Sequence, residues 1–176
     1  MNFFFSFIGK FIFLLFLVVA HFFLSYFLPY PFSTINIVFA SLILFMILSQ
    51  SGTIVWMAFF THFCIELYSV TPFGIILFSS TMSLLFTFWL FQYVLSNTSW
   101  YSAIFLTFFA LLFYRSISLF LLFFIHSIGR GVAIPWSNIV RLSGYELIFT
   151  EIIVIFGYIL ILKFRKNFKK HNQRFL

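Results

Sequence analysis

Residues 11–28 read FIFLLFLVVAHFFLSYFL, a run without a single Lys, Arg, Asp or Glu. A helix needs roughly 17–25 mostly apolar residues to cross a hydrocarbon core, and this run has that length. Runs of the same kind recur along the chain and leave little else for it to fold into. Soluble domains carry about a quarter charged residues, because water must wet their surface. Here 7% of the 176 residues are charged and 64% are hydrophobic, with a mean hydropathy of +1.16. The sequence therefore predicts an all-α, polytopic transmembrane helix bundle.

Six spans are expected, at about 11–28, 32–49, 53–68, 73–95, 100–126 and 145–162. The first run is too long for a signal-peptide core and lacks a small-x-small cleavage site, so it reads as a retained span. Pro29-Tyr30-Pro31 ends it, since proline cannot continue a helix. Gln50-Ser51-Gly52 is so short a break that spans two and three must be antiparallel neighbours. Pro72 and Gly74 punctuate the next turn, and Ser99 is a natural N-cap for span five. Within residues 127–144, Pro135 is placed to start a short interfacial or re-entrant helix anchored by Trp136, a plain loop being the alternative. Five spans plus such an element is the alternative count.

The net charge is +7, and its distribution argues against nucleic acid. Lys163, Arg165, Lys166, Lys169, Lys170 and Arg174 form a basic tail over residues 163–176, straight after the last apolar run. The positive-inside rule makes that end cytoplasmic, and an even number of spans brings both termini there. The tail also suits anionic lipid headgroups. Arg130 and Arg141, in the loop that would face outwards, oppose this bias but are outnumbered.

The acids are Glu66, Glu146 and Glu151, with no Asp at all. Measured from the expected span ends at ~1.5 Å per residue, Glu151 lies roughly 9 Å and Arg115 roughly 16 Å below the outer surface. An unpaired charge at such depth costs several kcal/mol, so Arg115 should face the interior and find a partner. Its long stem reaches towards the outer face. An Arg115–Glu151 pair is expected, with His62 as the second candidate partner. The role assigned to this polar set is structural. Glu66 is expected to snorkel to headgroup level, a partner contact being the rival.

His62 and Glu66 share a helix face at i, i+4, but a metal site needs three or four ligands and this pair lacks companions. His21 reads as a packed histidine, and His126 falls at a helix end. The lone Cys64 excludes an intrachain disulfide and reads as a small buried hydrophobe. No phosphate loop, catalytic triad or acid pair can be assembled, so no cofactor, metal or catalytic centre is expected. Asn97-Thr98-Ser99 has the form of a glycosylation acceptor, but sits in a loop expected to be cytoplasmic.

From residue 32 to 117 the chain resembles the MreD family, small polytopic proteins of the bacterial rod-shape machinery. INIVFASLILFMIL is similar to the family's second span, with Asn36 present and Ile35 in place of a usual proline. FFTHFCIELYSVTPFGIIL resembles its most recognisable segment, an acid near the end of the third span followed by a Pro-x-Gly turn. Glu66 stands where an Asp is usual, and Pro72 and Gly74 match the turn. LLFYRSI is similar to the fifth span, but Arg115 replaces a common acid.

The resemblance implies a non-enzymatic scaffold of the inner membrane. It would bind an MreC-like protein and, through it, cell-wall synthases and the MreB filament. Glu66, Pro72 and Gly74 would then shape an outer hairpin. Arg130, Trp136 and Arg141 would offer partner contact outside, and the basic tail would touch filament or lipid inside.

The main rival is a solute-binding subunit of an energy-coupling-factor vitamin transporter, also of six spans. Those subunits typically dock through Ala-x-x-x-Ala in the first span, where this chain has only Ala20. Tyr68, Trp136 and Tyr145 would supply a thin aromatic site. A lipid-modifying membrane enzyme is a third class, for which Glu66, Arg130, Arg141 and Glu146 are sparse.

Overall fold

The computed structural model of the chain describes the backbone of residues 2–95, 99–128 and 136–172, and the side chains of 8–95, 99–128 and 137–164. The described residues form six α-helices and one 3-10 turn, and no strand. The helices are α1 (Asn2–Phe27), α2 (Ile37–Ser49), α3 (Thr53–Glu66), α4 (Ile75–Tyr93), α5 (Trp100–Ser127) and α6 (Trp136–Asn172), with the 3-10 turn at Phe32–Thr34. In hydrocarbon every backbone N–H and C=O must be satisfied within the protein, which a helix does by itself.

Four helices are long and apolar enough to cross a membrane, over Ile8–Phe27, Ile75–Tyr93, Trp100–Ser127 and Ser137–Phe164. Their length and composition are compatible with a membrane protein. Expected spans two and three appear as shorter helices of 13 and 14 residues, each about 20 Å long against a hydrocarbon core of about 30 Å. The separate interfacial helix expected from Pro135 does not form as such. From Trp136 the backbone runs without a break through the expected sixth span into the basic tail, because nothing between Ser137 and Asn172 interrupts a helix except isolated glycines.

Helix α2 lies at the centre. Val38, Phe39, Ala40, Leu42, Ile43, Met46 and Ile47 are all buried, on rather more than half of its circumference, while Leu44 and Phe45 are partly buried and Leu48 is exposed. Asn36 caps its start by accepting the Phe39 N–H, and Gln50 closes its end in the left-handed conformation at φ 50°. That tight end returns the chain directly into α3. Around α2 pack α1, α3, α5 and α6. The outward faces of the long helices stay apolar, with Phe16, Phe23, Phe120 and Phe156 all exposed, as lipid contact requires.

The α4–α5 seam is made of small residues. Ser79, Ser83 and Thr87 on α4 meet Ala103, Thr107, Ala110 and Ser118 on α5, all buried. Ser83 donates to the Ala110 carbonyl at 2.5 Å and Ser118 to Ser79 Oγ at 2.8 Å. Small side chains let helix backbones approach closely and lend hydrogen bonds across the gap, the usual basis of association where lipid removes the hydrophobic drive.

A second close approach joins α6 to α2, where a Cβ added at Gly157 would fall 2.7 Å from Leu44 Cδ1. Alanine there is expected to change stability by less than about 1 kcal/mol, since Leu44 can rotate away. The β-branched Gly157→Ile should cost about 1–3 kcal/mol through overpacking. Thermal unfolding in mild detergent would check both, and an unaffected isoleucine variant would show that the two helices are not in contact there.

Candidate functional site

Two polar centres emerge. The first is assembled from three elements far apart in sequence. Arg115 on α5 donates from Nε to Glu146 Oε2 at 2.5 Å, and its terminal nitrogen bonds the same oxygen. Glu146 Oε1 accepts from Asn36 Nδ2 at 2.8 Å, and the Asn36 backbone N–H donates to Thr150 Oγ1 at 3.0 Å. One carboxylate therefore ties α5, α6 and the entry to α2. The guanidinium also lies 5.3 Å from the ring centre of Tyr114. Glu146 is 3% exposed, whereas the Arg115 side chain keeps 36% of its surface open.

The pairing departs from the expected Arg115–Glu151 contact. Both Glu151 oxygens are buried and lack a hydrogen-bond partner among the described residues. The reason is helix length. With α6 expected from Tyr145, Glu146 would sit at its end, in headgroup territory. Because α6 already begins at Trp136, Glu146 lies roughly three turns into the helix, level with Arg115. His62 is not Arg115's partner either. Its Nδ1 bonds the Ala58 carbonyl of its own helix at 2.9 Å, and its ring meets Phe39 edge-on.

The second centre is Glu66, at the last residue of α3. Rather than snorkelling outwards it is 3% exposed. Its Oε1 accepts from the Gly74 and Ile76 N–H groups, each at 2.9 Å, and its Oε2 from the Leu77 N–H at 3.2 Å. The first N–H groups of a helix have no partner inside it. A carboxylate there satisfies them and meets the positive end of the helix dipole. The α3–α4 turn is thus clamped by the side chain that precedes it. Gly74 stands at φ +99°, a conformation that L side chains rarely adopt, with open space around the missing Cβ. Gly74→Ala is accordingly expected to cost about 1–2 kcal/mol by backbone strain alone, measurable as a lowered unfolding temperature.

The remaining expected residues are dispersed. Arg141 is exposed on α6, its guanidinium 5.9 Å from the Tyr30 ring centre. Trp136 opens α6, and its side chain lies outside the described residues, as does Arg130 altogether. Lys163 is exposed. The side chains of Arg165, Lys166, Lys169 and Lys170 lie outside the described residues, though the α6 backbone carries them, and Arg174 falls beyond it. The Asn97-Thr98 acceptor is outside as well. Tyr68 packs edge-on against Phe22 and Tyr145 against Tyr30, in separate ring pairs. Cys64 is exposed on α3 rather than buried. Among the described residues no three His, Cys, Asp or Glu gather as metal ligands would.

Sequence reasoning missed Asn36 as a link to α6, and Glu146 as the partner of Arg115. Asn36 carried a legible signal, a capping residue directly before an apolar run. Its second role needed the tertiary contact. No family model, curated protein or solved structure matches this chain.

Proposed function

We propose that the protein is a non-enzymatic integral membrane scaffold of the bacterial cell-elongation machinery, working by helix and loop contacts. In this reading it lies in the cytoplasmic membrane with both termini inside, α2 and α3 completing six crossings as a short pair. It binds an MreC-like membrane protein and, through it, cell-wall synthases and the cytoskeletal filament. The basic tail rests on anionic lipid rather than nucleic acid.

The observation that carries this reading is how the buried charges are spent. Arg115 and Glu146 neutralise each other, and Glu66 is consumed by three backbone N–H groups. These are devices for fixing helix positions, and a fixed shape is what a scaffold offers its partners. The MreD-like segment around Glu66 and Gly74 is also where the chain builds its clamped turn.

A vitamin-binding subunit ranks second. The pocket beside Arg115 measures about 220 Å³, below the roughly 300–1,000 Å³ of ordinary small-molecule sites.

The test is a tagged pull-down from native membranes in mild detergent, with partners identified by mass spectrometry. Recovery of an MreC-like protein, a transpeptidase and the actin-like filament protein is the expected result. Paired ATPases with a second membrane subunit would replace the scaffold by the transporter reading.

A further inference from the structure

The end of α1, the 3-10 turn, the start of α2 and the facing stretches of α5 and α6 enclose an open pocket of about 220 Å³. Its wall carries Arg115, Glu146, Asn36, His21, Ser33 and Thr34. For a chain of this composition that is a dense gathering of polar groups. Its Ser33–Thr34 rim adjoins the end of the apolar run Ile8–Phe27, where Tyr26 and Tyr30 are exposed, and from there it reaches inwards to Arg115, Glu146 and His21. Tyrosine marks the headgroup level of a membrane.

The bonds already made do not exhaust these groups. Arg115 has five N–H donors, of which Glu146 takes those on two nitrogens, and its side chain remains 36% open. His21 Nδ1 is buried without a hydrogen-bond partner among the described residues. Thr34 Oγ1 donates to the Pro31 carbonyl and so keeps its lone pairs for accepting. Charge decides which ligand fits. A simple anion drawn to Arg115 meets the Glu146 carboxylate beside it, and a simple cation drawn to Glu146 meets the guanidinium. A group bearing both signs, laid head to tail along the ion pair, satisfies both.

We propose that this pocket binds a zwitterionic phosphate–amine group, with its phosphate on the open edge of Arg115. The ammonium then donates towards Glu146, the Ser33 and Thr34 hydroxyl oxygens, and His21 Nδ1 in the tautomer that leaves it unprotonated. In a membrane the abundant carrier of that chemistry is the phosphatidylethanolamine headgroup, and O-phosphoethanolamine is its soluble counterpart. The site is independent of which protein partner the bundle binds.

The full chain in nanodiscs with equal phosphatidylethanolamine and phosphatidylglycerol, released for native mass spectrometry, tests this. Retention of phosphatidylethanolamine should exceed that of phosphatidylglycerol by about tenfold, the worth of one charge-assisted hydrogen bond. Arg115→Gln removes the phosphate contact but also strips Glu146 of its partner, so folding confounds it. His21→Phe fills the pocket and Ser33→Ala removes an acceptor, both leaving the ion pair intact. Each should erase most of the preference while the unfolding temperature stays near wild type. A preference for phosphatidylglycerol, an undiminished preference in His21→Phe, or equal retention together with no rise in unfolding temperature on O-phosphoethanolamine would overturn the proposal.

A second arm adds O-phosphoethanolamine or inorganic phosphate to lipid-depleted protein in detergent. A rise in unfolding temperature with O-phosphoethanolamine, without selective lipid retention, keeps the chemistry and assigns a soluble source. An equal rise with phosphate alone rules out the zwitterion.

Discussion

Arg115→Leu is expected to destabilise the bundle by about 3–5 kcal/mol, the usual cost of stripping a buried ion of its partner. The variant leaves Glu146, 3% exposed, with Asn36 as its remaining side-chain donor. Removing both charges should be far milder, because an apolar pair of similar volume leaves nothing unsatisfied but the Asn36 amide. The double variant Arg115→Leu/Glu146→Leu is therefore expected to recover a large part of the loss, and a double-mutant cycle measures the coupling. Glu151→Leu serves as the contrast. Its carboxylate oxygens have no described partner, so leucine there should be neutral within about 1 kcal/mol or stabilising. Thermal unfolding in mild detergent, followed by abundance in native membranes, reads these three variants and the Glu146→Leu single that closes the cycle. Strong coupling of Arg115 to Glu151, with none to Glu146, would refute the pairing described here.

Glu66→Ala is the second large effect, about 2–4 kcal/mol. Three part-buried N–H groups at the start of α4 lose a charged acceptor at once, and each such bond is worth about a kilocalorie or more. Glu66→Gln keeps one amide oxygen and should lose roughly half as much. Hydrogen exchange gives the sharper readout. The Gly74, Ile76 and Leu77 amides should exchange faster in Glu66→Ala while amides in the middle of α5 are unchanged. Unaltered protection at those three positions would mean that Glu66 does not hold the turn.

These two centres were unequally legible in the sequence. Glu66 stood out because a carboxylate beside Pro72 and Gly74 has few uses in apolar surroundings, and the turn was read correctly as a turn. Its burial was missed, because the rule for interfacial acids sends them outwards and takes no account of bare helix N–H groups eight to eleven residues ahead. Arg115 was rightly expected to seek an acid. The choice between Glu146 and Glu151 turned on where α6 begins: Ser143-Gly144 before Tyr145 has the look of a helix start, but the helix runs straight through it from Trp136, next to Pro135. The helices themselves were easier. Long apolar runs ending at Pro29, at Gln50-Ser51-Gly52 and before Ser99 leave little freedom about where a helix must stop. What periodicity could not reveal is that α2, so uniformly apolar, is central rather than lipid-facing. A helix that is hydrophobic all round suits either place.

Helix α6 has 37 residues in one piece, about 55 Å of rod against a hydrocarbon core of about 30 Å. Such a rod cannot lie wholly within the bilayer, and its two ends cannot move independently of each other. Glu146 and Thr150 fasten it to Arg115 and Asn36 towards one end, and Gly157 seats it on α2 further along. Held at two places along its length, the rod has no free joint between them, so the direction in which its basic end leaves the bundle is set by contacts made several turns earlier.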